Sequence, residues 1–252
     1  MPSCCPPESW PYLAPEASYE AKGELMNLDV AGGASPLPCY VSKPSTPSTR
    51  GIIVLPEIFG WAGRLKGITD SLADAGYHAV LPDMFRGDTA NGKPDMVGWI
   101  AQTTWGSIAP DFDALMAYFA GQGVTSVGAI GFCWGAWSFA KAASEGVSLR
   151  GCVACHPSVK LEEYAFKSDQ AKMMSAASAT CPILLLNAGN DCQRGLPGGD
   201  LADIVTAGGG GSHVYPDMSH GWVTRGDVSD EKVKRDVEDA MTKAVEFFGS
   251  KL

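Results

Sequence analysis

Of the eight cysteines in the chain, one stands where a thiol could act as a nucleophile, within Gly131-Phe132-Cys133-Trp134-Gly135. The apolar run Val127-Gly128-Ala129-Ile130 precedes it, and a helical pattern opens at Trp134. A tight strand-to-helix turn strains its central residue, so the positions two before and two after must be small; glycines occupy both. The positive end of the following helix favours a thiolate and lowers a thiol pKa from its ordinary value of about 8.5. Taken alone, the segment also suits a buried structural cysteine in a glycine turn. Two other positions weigh against that. Asp191 closes Asn187-Ala188-Gly189-Asn190-Asp191 after an apolar run at 183–186, and His220 closes Pro216-Asp217-Met218-Ser219-His220 after one at 212–215. A thiol, a carboxylate and an imidazole, each beyond the carboxyl end of a strand, can perform acyl transfer: His220 moves the proton while Asp191 orients its ring.

The rival residues fit less well. His78 and His213 fall inside predicted strands, whereas His156 follows the strand at 151–154 and could line a pocket without titrating. Asp217 is the alternative carboxylate, but it lies too close in sequence to His220 to arrive from a separate strand. Elbow geometry makes the Trp134 backbone N–H one donor to a developing oxyanion. Cys152-Val153-Ala154-Cys155-His156 looks like a metal motif, yet alternation puts its two cysteines on opposite strand faces and no second ligand pair exists. No metal and no cofactor are expected.

From Gly51 onward, short β-branched runs alternate with helical patterns, which predicts an α/β fold: a mostly parallel sheet flanked by helices in three layers. Strands are expected at 52–55, 77–81, 126–130, 151–154, 183–186 and 212–215. Helices are expected at 64–75, with Leu65, Ile68, Leu72 and Ala75 inward and Gly76 as the stop, at 111–121, and at 231–248. Open parallel sheets bind ligands outside their strands' carboxyl ends, and each candidate above lies there. Residues 1–20 read as an extended arm and 21–252 as one domain, since 252 residues with 45% hydrophobic content suit a single core.

The formal charge of -9 and a pI near 4.9 supply no positive field for nucleic acid or an anionic membrane surface. No apolar run approaches the roughly 18 to 20 residues of a membrane helix, and the N-terminus lacks a signal-peptide pattern, so a cytoplasmic chain is expected. The cysteines are too sparse for a disulfide scaffold, and Cys4-Cys5 lacks the second signal that stable lipid anchoring needs.

Leu55-Pro56-Glu57-Ile58-Phe59-Gly60, the Cys133 elbow and Ser219-His220-Gly221-Trp222 resemble the dienelactone hydrolase family of the α/β-hydrolase superfamily, over roughly residues 25–250 and with most likeness to the carboxymethylenebutenolidase branch. The resemblance implies that Glu57 accepts the thiol proton when substrate arrives and that the Ile58 N–H is the second oxyanion donor. It also implies that Arg86 and Arg225 hold a carboxylate on the substrate. The spacing of Arg86 is one residue shorter than in bacterial members, and that of Arg225 from the histidine one longer. Phe59 and Trp222 are the aromatic candidates for the pocket, with His156 beside them. The expected reaction is hydrolysis of a small ester or lactone through an acyl-cysteine, by a monomer or homodimer. A non-catalytic binding protein on the same scaffold is the alternative. A glycan hydrolase is disfavoured, because Glu57 would need Asp191 as its partner carboxylate.

Overall fold

The computed structural model describes residues 5–15 and 19–252. In chain order the elements are β1 (Glu24–Leu28), β2 (Leu37–Ser42), β3 (Arg50–Leu55), α1 (Leu65–Asp74), β4 (His78–Pro82), α2 (Met96–Ile100), α3 (Trp105–Gly121), β5 (Ser126–Phe132), α4 (Trp134–Ser144), β6 (Cys152–Cys155), α5 (Leu161–Tyr164), α6 (Gln170–Ser178), β7 (Ile183–Ala188), α7 (Asp200–Ala207), β8 (Gly211–Tyr215), α8 (Trp222–Arg225) and α9 (Glu231–Lys251). One eight-stranded sheet runs in the order β1-β2-β4-β3-β5-β6-β7-β8. The β1–β2 and β2–β4 pairs are antiparallel, and every pair from β4 to β8 is parallel. This is the mostly parallel α/β sheet that the alternating pattern predicts, in the α/β-hydrolase form that the family resemblance implies.

Six strands match the expected runs to within about two residues at each end. Two were not foreseen. Pro38, which lacks a donor for a sheet ladder, masks β2, and β1 is a half-exposed edge with Leu25 68% accessible, so its alternation is weak. The third helix begins at Trp105 rather than Asp111, because Pro110 reads as a breaker but lies inside α3.

Side chains alternate across the sheet into two cores. Ile53, Leu55, Ala129, Cys152 and Ala154 face α3, α4, α6 and α7; Ile52, Val54, Ile130, Val153 and Cys155 face α1, α8 and α9. Cys152 and Cys155 thus lie on opposite faces. Among the described residues, no helix is long and apolar enough to cross a membrane.

At the centre, β5 passes into α4 with no intervening loop. Cys133 takes φ 53° and ψ -109°, a left-handed backbone that non-glycine residues rarely adopt. A Cβ on Gly131 would overlap the Gly135 carbonyl, and one on Gly135 would overlap the carbonyl of Leu55 at the end of β3. The helix can approach the sheet this closely only because both positions are bare. Gly135→Ala is expected to lower unfolding free energy by roughly 1–3 kcal/mol or more, read as a reduced denaturant midpoint; an unchanged midpoint would mean that α4 can shift away from β3 without cost.

Candidate active site

The parallel order carries the carboxyl ends of β3, β5, β7 and β8 to one edge of the sheet, where Glu57, Cys133, Asp191 and His220 follow. Asp191 Oδ2 accepts from the Ala188 N–H at 2.7 Å, which tightens the turn after β7, and its Oδ1 lies 2.5 Å from Nδ1 of His220. The His220 loop is fixed in turn: its N–H donates to Asn190 Oδ1 at 2.8 Å and its carbonyl accepts from the Trp10 N–H at 2.9 Å. Arg64 anchors the helix that follows, donating to the carbonyls of Trp222, Val223 and Gly226. Cys133 Sγ lies 3.2 Å from Ser158 Oγ and 4.0 Å from Cys5 Sγ. Asp217 is exposed, and among the described residues the carboxylate on the imidazole is that of Asp191.

Cys133 and His220 are almost wholly excluded from solvent, at 0% and 1% accessibility. Burial opposes a charge on His220, but the Asp191 carboxylate and the Cys133 sulfur outweigh it and hold the ring up at about 10. His156, 5.1 Å from His220 between ring centroids, behaves in the opposite way: burial, reinforced by the His220 charge, drives it well below the ordinary range. Neither ring nitrogen of His156 has a hydrogen-bond partner among the described residues, and its φ is 38°. It is a neutral wall of the site, wedged among Phe132, His220 and Trp222.

The remaining candidates are engaged within the fold. Glu57 accepts from Arg225 Nε at 3.0 Å on both oxygens and from the Thr224 hydroxyl, and its Oε2 lies 2.8 Å from Arg225 Nη2 as an ion pair. Arg225 also donates to the Pro11 carbonyl at 3.1 Å and lies 5.1 Å over the Phe59 ring. Arg86 is tied to Asp111 by contacts of 2.6 and 3.0 Å and to the Ser35 carbonyl, joining the loop after β4 to α3. Neither guanidinium stands unpaired toward a ligand. Trp222 is fully buried against Tyr215 and His156, a core position, whereas half-buried Phe59 meets Tyr12 edge-on. Trp134 packs on Phe85 and opens α4, so its backbone N–H has no acceptor within the helix. Ile58 is buried next to Glu57.

Sequence reasoning did not find the contributions of Cys5, Ser158, Asn190 and Thr224. The N-terminal segment, expected as an extended arm, lies across the site through Cys5, Trp10, Pro11 and Leu13. No local pattern announces this, because the contacts join residues far apart in sequence, up to 214 positions for Pro11 and Arg225. Cys4, considered with Cys5 for lipidation, lies outside the described residues.

The family profile for dienelactone hydrolases matches residues 37–252. This chain belongs to the dienelactone hydrolase family. An uncharacterised AIM2 family protein of Schizosaccharomyces pombe is 29% identical over an alignment covering 99% of both chains. A carboxymethylenebutenolidase homolog of Xenopus tropicalis is 27% identical over 49% of this chain and 50% of its own. Among solved structures, a dienelactone hydrolase-like promiscuous phosphotriesterase from metagenomic libraries superposes with a TM-score of 0.66 at 18% identity, covering 91% of this chain and 98% of its own. At that identity the likeness concerns the fold.

The electrostatics of this family member yield a direct test. Alkylating Cys133 with neutral iodoacetamide removes any negative charge on sulfur, so the His220 ring should release its proton more easily. Its NMR titration midpoint is expected to move down by about one pH unit or more; a midpoint that stays or rises would show that sulfur carries no charge beside the ring.

Proposed function

We propose that this chain hydrolyses a small ester or lactone through an acyl-cysteine intermediate, with Cys133 as nucleophile, His220 as acid and base, and Asp191 as the partner that orients His220. The observation that carries the reading is the 2.5 Å Asp191–His220 pair beside a sulfur held at a strained strand-to-helix elbow. The Cys133 sulfur attacks the carbonyl carbon, and the Trp134 and Ile58 N–H groups receive the oxyanion. Collapse of that intermediate expels the alcohol or enolate, which takes its proton from His220. Having given up that proton, the His220 ring is a base suited to activating water, and a second collapse frees the acid and the thiolate.

Glu57 enters through Arg225. In the resting pair the carboxylate is fully occupied. A carboxylate on the substrate could replace it on the guanidinium, which releases Glu57 to accept the thiol proton as the family resemblance implies. Arg225 also lines a cavity of about 430 Å³ with Trp10, Tyr12, Leu13, Arg64 and Val228, the approach by which such a group would arrive. Arg86 is the second candidate for that group and would first have to leave Asp111. Residues 21–252 form one catalytic domain in this reading, and the N-terminal arm covers it. Acidic charge and reduced thiols fit a cytoplasmic setting.

Cys133→Ala is expected to abolish aryl-ester turnover while circular dichroism stays unchanged. His220→Ala and Asp191→Asn should each slow it by about 10²-fold or more, as parts of one unit. Wild-type rates in a folded Cys133→Ala protein would sink the assignment. Arg225→Ala should raise KM about ten-fold to a hundred-fold for carboxylate-bearing lactones and change neutral aryl esters little. Equal effects on both would mean that Arg225 only secures its loop.

A further inference from the structure

Cys5 has no part in the chemistry above, yet the arm delivers its sulfur to the reacting atoms. Among the described residues, one group of potential metal ligands converges: Cys5 Sγ, Cys133 Sγ and a ring nitrogen of His220 all lie within 4.8 Å of one another. The placement is built. Trp10 donates to the His220 carbonyl, Pro11 accepts from Arg225, and the Gly63 N–H donates to Leu13, so three points along the arm hold it against the loops that carry the site.

Distances decide what the two sulfurs suit. A tetrahedral zinc ion with Zn–S bonds of about 2.3 Å separates two thiolates by about 3.8 Å, and these sulfurs are 4.0 Å apart. A disulfide needs about 2.05 Å, a closure of almost 2 Å between anchored segments. The imidazole is prepared for a metal in the same way that it is prepared for catalysis. Asp191 takes Nδ1 at 2.5 Å, which fixes the tautomer and leaves Nε2 as the donor, an arrangement that strengthens histidine ligands. Two thiolates match the charge of a divalent cation, and the neutral imidazole keeps its Nδ1–H bond to the Asp191 carboxylate.

We propose that Cys5, Cys133 and His220 form a site for one thiophilic divalent cation, Zn²⁺ above all, which caps the nucleophile and holds the enzyme inactive until the cation leaves. Three protein ligands leave the fourth position to water. Binding exchanges the ligands' protons for the metal, with no oxidant involved. The inhibitory consequence rests on the acyl-transfer reading; the cation site itself does not.

The test uses the full chain, reduced and stripped of metal by a chelator. Titration with Co²⁺ should produce a thiolate-to-metal charge-transfer band that saturates at one equivalent and is displaced by Zn²⁺. One equivalent of Zn²⁺ should suppress aryl-ester turnover, and chelation should restore it. Cys5→Ser should weaken Zn²⁺ binding about ten-fold or more while metal-free turnover stays at the wild-type rate; Cys133→Ala should weaken the charge-transfer band at least as much. Absence of the band, or equal affinity in Cys5→Ser, would overturn the site. So would inhibition that persists under chelation and yields only to a thiol reductant, which would mean a Cys5–Cys133 disulfide instead. A saturable band in a protein that hydrolyses no ester would uphold the cation site and sink the acyl-transfer reading.

Discussion

The close approach of α4 to β3, with Gly135 against the Leu55 carbonyl, fixes the height and tilt of the helix that begins directly after Cys133. Because β5 feeds that helix without a loop, the chain must turn at a single residue, and Cys133 absorbs the turn at φ 53°. Such a conformation costs of order 1–3 kcal/mol. Burial of Trp134, Trp137 and Phe139 behind it, at about 1.5–3 kcal/mol for each large apolar side chain, is ample to offset the strain. The sulfur is thereby held at the carboxyl edge of the sheet, at the positive end of a helix, and the loops after β3, β7 and β8 assemble around it.

Charge in this interior is handled in pairs. Asp191 with His220, Glu57 with Arg225 and Asp111 with Arg86 each join two segments distant in sequence. A lone charge at such depth would be costly, and removing one partner leaves the other uncompensated. The pairs therefore set loop positions more firmly than they add stability. His156 avoids the problem by staying neutral, which suits a ring packed beside a protonated His220.

The N-terminal segment contributes the low-dielectric surroundings. By closing over Cys133 and His220 it excludes water from the site, strengthens every electrostatic interaction within it, and sets a condition for substrate entry: the arm or the loop after His220 has to open.

Periodicity alone made the parallel strands legible, because a buried strand writes its burial into consecutive residues. The elbow was legible because steric exclusion demands glycine at fixed offsets from Cys133. The order of thiol, carboxylate and imidazole followed from those strands, since each stands just past one. The antiparallel strands β1 and β2 were not, being half-exposed in one case and masked by Pro38 in the other. Nor could the sequence say that Arg86 and Arg225 are taken up by Asp111 and Glu57, that Trp222 belongs to the core, or that Cys5 meets Cys133 across 128 positions. Those depend on which surfaces the folded sheet brings together, and a contact between distant residues leaves no trace in the local pattern of either one.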